Sequence, residues 1–137
     1  VKLVEICNKD GTAKVKIAPY GATVVSYIVN GEEQFFVSSK AKWDQTKAIR
    51  GGIPVIFPQF GAGKMKQHGF ARVQVWNVAV KKNDNGTMAV CSLSANNSTK
   101  NDWKWDNDFE LTYQVEFVNK IQLKASLTVE NKNKKDS

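Results

Sequence analysis

The residues best suited to chemistry lie in two nearby stretches. The first reads Ile49-Arg50-Gly51-Gly52-Ile53-Pro54-Val55-Ile56-Phe57-Pro58-Gln59-Phe60-Gly61, and the second Gln67-His68-Gly69-Phe70-Ala71-Arg72, followed by Trp76. Arg50 and Arg72 are fixed cations at the two ends of this system. A guanidinium fork grips carboxylate or phosphate oxygens through parallel hydrogen bonds. Gln67 offers a donor and an acceptor to sugar hydroxyls. His68 is the only histidine, and an unperturbed imidazole titrates near neutral pH. Gly51 and Gly52 permit a tight bend close to a ligand. Phe57, Phe60, Phe70 and Trp76 have the apolar surface on which a sugar ring stacks. Each feature also has a structural reading. His68 fits a hydrogen-bonded structural role, the arginines fit surface pairs with Asp44 or a glutamate, and the glycines fit turns. The aromatic residues fit a core, with Trp103 and Trp105 covering one end of it. Residue type and spacing leave both readings open.

The elements that must position these groups are strands. Residues 109–117 alternate strictly, with Phe109, Leu111, Tyr113, Val115 and Phe117 on one face and Glu110, Thr112, Gln114 and Glu116 on the other. Residues 121–130 and 12–17 repeat the pattern, which is that of half-buried antiparallel strands. Asn8-Lys9-Asp10-Gly11, Asn30-Gly31, Asn83-Asp84-Asn85-Gly86 and Asn119-Lys120 mark the turns between strands expected at 2–7, 12–17, 22–29, 34–37, 73–80, 87–95, 109–117 and 121–130. Two irregular regions, 48–72 and 96–108, interrupt them, and long irregular loops in compact β domains are often functional. No helix of useful length is expected. The fold class is all-β, an antiparallel sandwich. Residues 1–131 form the domain portion and 132–137 a frayed, polar, basic tail.

Composition limits the partners. The chain has 137 residues and a net charge of +7. Its pI is about 9.4. That balance suits a small anion or a solvated surface, and nucleic acid is disfavoured because no RNA-binding or zinc-finger signature is present. No apolar run spans a bilayer, no signal peptide is visible, and the expected compartment is the cytoplasm. Cys7 and Cys91 read as free buried thiols. Asn85-Gly86-Thr87 and Asn97-Ser98-Thr99 are chance matches to the glycosylation sequon without a secretory signal. The start at Val1 is consistent with a fragment.

The two motifs together, with Ala18-Pro19-Tyr20-Gly21-Ala22, Phe109-Glu110-Leu111-Thr112-Tyr113 and Leu127-Thr128-Val129-Glu130-Asn131, resemble the hexose-6-phosphate mutarotases of the aldose 1-epimerase group. The likeness runs from about residue 1 to about residue 131. It implies a galactose-mutarotase-like β-sandwich, incomplete relative to the family, acting on a phosphorylated hexose without metal or organic cofactor. By this resemblance Arg50, Gln67 and Arg72 bind the sugar phosphate and His68 supports the pocket. The family's acid histidine and base glutamate match no position here, so no catalytic residue is assigned to this chain. Glu110, Glu116, Asp102, Asp106 and Asp108 read as solvated or turn-forming carboxylates and not as replacements. The alternatives are a module that binds an anionic sugar without turning it over, and a basic sandwich binding a protein or polyanion. The last long strand would leave an open sheet edge, to be paired by a missing C-terminal half or a partner chain.

Overall fold

The structure is a computed structural model that describes residues 2–35, 49, 51–58, 69–119 and 122–133. Two four-stranded antiparallel sheets make up the fold. The first contains β1 (Val4–Cys7), β2 (Ala13–Ala18), β3 (Thr23–Val29) and β4 (Glu32–Glu33), in that spatial order. The second contains β5 (Asn77–Asn83), β6 (Gly86–Ser94), β7 (Phe109–Phe117) and β8 (Leu123–Asn131), again in order. This is the expected all-β sandwich, in which sequential hairpins keep neighbouring strands adjacent in space. Among the described residues no helix is long and apolar enough to cross a membrane.

The alternating residues face each other across the sandwich. Ile6, Val15, Ile17 and Val24 of the first sheet pack with Ala89, Cys91, Leu111, Val115 and Phe117 of the second, all fully buried. Burying one such side chain contributes about 1.5–3 kcal/mol. The sheets are joined at one corner. The Thr87 hydroxyl accepts a hydrogen bond from the Cys7 backbone N–H at 2.9 Å, and Asn8 bridges to Gly86. In the first turn the Asn8 side chain accepts from the Ala13 N–H at 3.0 Å, and Gly11 adopts φ 76°. Both cysteines are free; Cys91 is buried, whereas Cys7 is only partly so. Burial pushes the Cys91 thiol up to about 12, which makes it a core residue and not a nucleophile.

Several expectations need correction. The strand expected at 73–80 starts later, at Asn77, because residues 71–73 form a 3₁₀ turn and Val75 makes an isolated bridge to Tyr20. The pairing back onto β3 starts earlier than the expected 34–37, at residues 32 and 33, and extends to Gln34, whose N–H donates to the Tyr27 carbonyl at 2.7 Å; residues 36 and 37 lie outside those described. A π-helical turn at Ser98–Asp102 orders part of the region read as irregular. The start of the tail is not frayed. Lys132 N–H donates to the Asp108 carbonyl at 3.0 Å, and the Asn133 side chain accepts from the Asp108 N–H at 2.8 Å. The apolar face of β8 is not half-buried along its length, since Leu127 is 40% and Val129 52% exposed. Leu123 at the start of the strand still packs against the core. Val80 on β5 is 49% exposed.

The short β4 is pinned by one carboxylate. Glu33 accepts hydrogen bonds from the Ser26 hydroxyl and from the backbone N–H groups of Tyr27, Gln34 and Phe35. Burial works to raise its pKa, but the Ser26 bond and the three backbone bonds outweigh it and hold the group below its ordinary value. A carboxyl depressed on folding stabilises the protein above its unfolded pKa, and that stabilisation is lost as pH falls through the folded value. Glu33→Gln is therefore expected to lower stability at pH 7 by about 1 kcal/mol, a figure already reduced for solvent screening. The difference from the parent shrinks below the ordinary carboxylate range. Urea unfolding of both proteins at pH 7 and pH 3 measures it.

Candidate functional site

The two motif stretches are fastened to the first sheet and to each other by backbone bonds. Ile53 bridges to Val24 of β3 in both directions, with N–H to carbonyl distances of 2.8 and 3.2 Å. Gly52 lies against that strand with φ 67°, and a Cβ there would come 2.0 Å from the Val24 carbonyl oxygen. The glycine thus lets backbone meet backbone, not backbone meet ligand. Four residues further on, Phe57 makes a parallel bridge to Gly69. The Phe57 carbonyl accepts from the N–H groups of Phe70 (3.0 Å) and Ala71 (3.2 Å). A Cβ on Gly69 would sit 2.3 Å from that same oxygen. The peptide that follows, Phe57-Pro58, is cis.

Arg72 sits in the 3₁₀ turn Ala71–Val73, immediately after this junction. The Pro19–Ala22 turn fixes its backbone. The Gly21 N–H donates to the Gln74 carbonyl at 2.6 Å, and the Trp76 N–H to the Pro19 carbonyl at 2.9 Å. Any side chain at Gly21 would meet the Arg72 carbonyl oxygen at 2.5 Å. The Arg72 side chain is half-buried, with Nε out of contact with solvent. Arg50, Gln67 and His68 lie outside the described residues.

The proposed aromatic wall divides. Phe70 (0% exposed) and Trp76 (2% exposed) belong to the core, and the Trp76 indole N–H donates to the Ala71 carbonyl at 2.9 Å. Phe60 lies outside the described residues. Phe57 and Trp105 remain partly exposed, and Trp105 closes the sandwich end as expected for a cover. Its ring lies 5.4 Å from those of Phe57 and Phe109 and 5.5 Å from Phe70, in the tilted and edge-on arrangements that aromatic quadrupoles favour. The loop carrying Trp105 is tied to the second motif by the Gln74 side-chain amide, which donates to the Ser98 hydroxyl at 3.0 Å. The buried Thr99 holds that turn through reciprocal bonds with Asn96.

Trp105 also rims a groove of about 230 Å³ that Phe57, Asn107, Asn131 and Asn133 help to line. Asp108 beside it pairs with Lys100 at 2.8 Å. The Asn133 side chain donates to that of Asn107 at 3.1 Å. These carboxamides were not singled out from sequence. The only available signal was the density of Asn and Asp in 106–108 and 131–133, which reads equally well as turn formation.

The aldose 1-epimerase family model matches residues 2–137. The chain belongs to the aldose 1-epimerase family. It is 54% identical over 61 residues to a protein of Cenchrus ciliaris provisionally named glucose-6-phosphate 1-epimerase, a match over 43% of this chain and 18% of that protein. It is 31% identical over 117 residues to a protein of the same provisional name from Salmonella typhimurium, over 82% of this chain and 40% of the relative. The crystal structure of YeaD from Salmonella typhimurium, provisionally described as a mutarotase, superposes with a TM-score of 0.70 at 32% identity, over 84% of this chain and 41% of that one. The chain thus spans less than half the length of these relatives, and the galactose-mutarotase-like fold is shared over that part.

The close approach at Gly52 has a measurable cost. Gly52→Ala is expected to destabilise the protein by about 2–4 kcal/mol, since it adds both a positive-φ penalty and a backbone clash. Gly31→Ala carries a similar φ of 82° with nothing within 4 Å of the new Cβ. It should cost only about 1 kcal/mol. Comparing the two urea midpoints isolates the contribution of the clash.

Proposed function

We propose that this chain is the N-terminal portion of a hexose-6-phosphate mutarotase. In this reading Arg50 and Arg72 bind the phosphate, and Gln67 and His68 contact the sugar. The observation that supports it most is the junction at the Phe57 carbonyl. It brings the ends of the two motifs side by side and fixes the backbone of Arg72 three residues beyond Gly69. A dianionic phosphate gains most from cations held by rigid backbone, because little ordering remains to be done on binding. The relatives' glucose-6-phosphate 1-epimerase names support the same substrate class.

Mutarotation needs a base to take the proton from the anomeric hydroxyl and an acid to protonate the ring oxygen. The ring opens, the aldehyde end rotates, and closure delivers the other anomer. Both groups must stand at hydrogen-bond distance from their protons. By family likeness neither the acid histidine nor the base glutamate corresponds to a residue of this chain. Its part is to hold the phosphate end and one side of the sugar. The cytoplasm is the compartment in which such a substrate would be met.

Isothermal titration with glucose 6-phosphate tests the assignment. Each charge-assisted contact contributes about 1.5–3 kcal/mol. Arg50→Ala and Arg72→Ala should each weaken binding by roughly 10–100-fold, with circular dichroism confirming the fold. Anomer exchange followed by NMR should not be accelerated by this chain. Binding that neither substitution weakens contradicts the phosphate assignment. Affinity for any polyanion with a steep salt slope supports the basic-surface alternative instead.

A further inference from the structure

Asn-Gly pairs occur twice in the chain, at Asn30-Gly31 and Asn85-Gly86. Such a pair can modify itself. The Gly nitrogen gives up its proton and bonds to the Asn Cγ, the Cγ–Nδ2 bond breaks, and the nitrogen leaves as ammonia. Water then opens the resulting cyclic imide. Opening at one carbonyl gives aspartate, and opening at the other gives isoaspartate, whose main chain runs through Cγ. The ring closes only if the Asn-Gly peptide can turn toward the Asn side chain. Glycine, lacking a Cβ, hinders that turn least. The fold decides which of the two pairs has this freedom.

Asn30-Gly31 is the exposed tip of the β3–β4 hairpin, with φ of 50° and 82°. Among the described residues nothing lies within 4 Å of a Cβ built on Gly31. Beyond the tip, β4 pairs with β3 only at Ile28–Glu33 and Val29–Glu32, so little must open for the peptide to turn. The restraint is Glu33, whose carboxylate accepts from the Ser26 hydroxyl and from the Tyr27, Gln34 and Phe35 N–H groups. Asn85-Gly86 is held quite differently. It is partly buried, and a Cβ on Gly86 would sit 2.3 Å from the Cys7 carbonyl oxygen. Asn8 bridges to Gly86, and the Asn85 N–H donates to the Asn83 side chain at 3.0 Å. β5 and β6 pair in register from Asn77–Ser92 to Asn83–Gly86. Turning that peptide means parting the two sheets at the corner where they are joined.

We propose that Asn30 is a self-modification site of the folded protein, converting to aspartate and isoaspartate through local opening of its hairpin at a rate set by Glu33, while Asn85 is protected. Where opening is fast and reversible, the rate follows the population of the open form. Each bond from Glu33 that holds β4 on β3 lowers that population. The products favour further opening. Both place a new carboxylate beside Glu32 and Glu33. Isoaspartate also adds a carbon to the main chain of a two-residue turn, and loop length fixes the register of a hairpin. Conversion therefore loosens β4 from β3. This inference concerns the hairpin alone and stands apart from the sugar-phosphate reading.

Peptide mapping by mass spectrometry of the 137-residue chain, incubated at mildly alkaline pH both folded and in urea, tests it. In urea neither pair is held, and the two should convert at similar rates. In the folded chain Asn30 should convert well ahead of Asn85. Glu33→Gln should speed conversion at Asn30 by roughly 5-fold, the effect of losing one modest stabilising interaction, and leave Asn85 unchanged. Ser26→Ala removes one bond to the same carboxylate and should act in the same direction. Gly31→Ala should slow conversion although it strains the turn. A ratio of the two rates that folding does not change, or Asn85 reacting first, overturns the proposal. So does a Glu33→Gln variant that speeds both sites alike, because reaction would then come from the globally unfolded chain. Circular dichroism confirms that each variant is folded during incubation.

Discussion

A single carbonyl oxygen, that of Phe57, ties the candidate site together. It receives the N–H groups of Phe70 and Ala71 across a glycine whose Cβ would occupy the same space. Without that contact the two motif stretches would be independent loops, and the backbone of Arg72 would have no fixed relation to the strand that Gly52 abuts. Two neutral backbone bonds are modest individually, about 1 kcal/mol each. Their importance is geometric, since they close a loop whose ends are already anchored on β3 at Ile53 and on the Pro19–Ala22 turn through Gly21 and Trp76. Gly21, Gly52 and Gly69 are each needed because a second strand of backbone passes where a side chain would be.

Much of this was legible in the sequence, and the exceptions have a common cause. The alternation from Phe109 to Phe117 reports a strand because burial on one face demands period two, and all five apolar residues are indeed buried. The Asn-Gly and Asp-Gly turns were visible because few residues tolerate positive φ. Alternation says which face of a strand is apolar but not whether anything covers it, so the exposed stripe of β8 could not be read. Residues 73–76 look like strand because of their valines. Only the long-range links of Gln74, Val75 and Trp76 to residues 19–21 show that they are tied to the Pro19–Ala22 turn instead.

The candidate site rests on residue type, and its geometry left no trace in the sequence. Arg50, Gln67, His68 and Arg72 stood out through residue chemistry and family likeness. The contact that unites their segments is a backbone bond between residues a dozen or more apart, and such a bond leaves no compositional trace. The aromatic residues show the complementary failure. Phe70 and Trp76 had the chemistry of a sugar platform, yet the sandwich needs them as core. Trp105, read as a cover, both covers the sandwich end and rims the adjoining groove.

The central claim is that one phosphate is held from both motif stretches at once. A double-mutant cycle on glucose 6-phosphate affinity, comparing Arg50→Ala, Arg72→Ala and the double variant, measures that directly. Groups gripping the same anion should show a coupling free energy of about 1 kcal/mol or more. Losses that simply add would mean that the two guanidinium groups act at separate places, and the shared phosphate site would not exist.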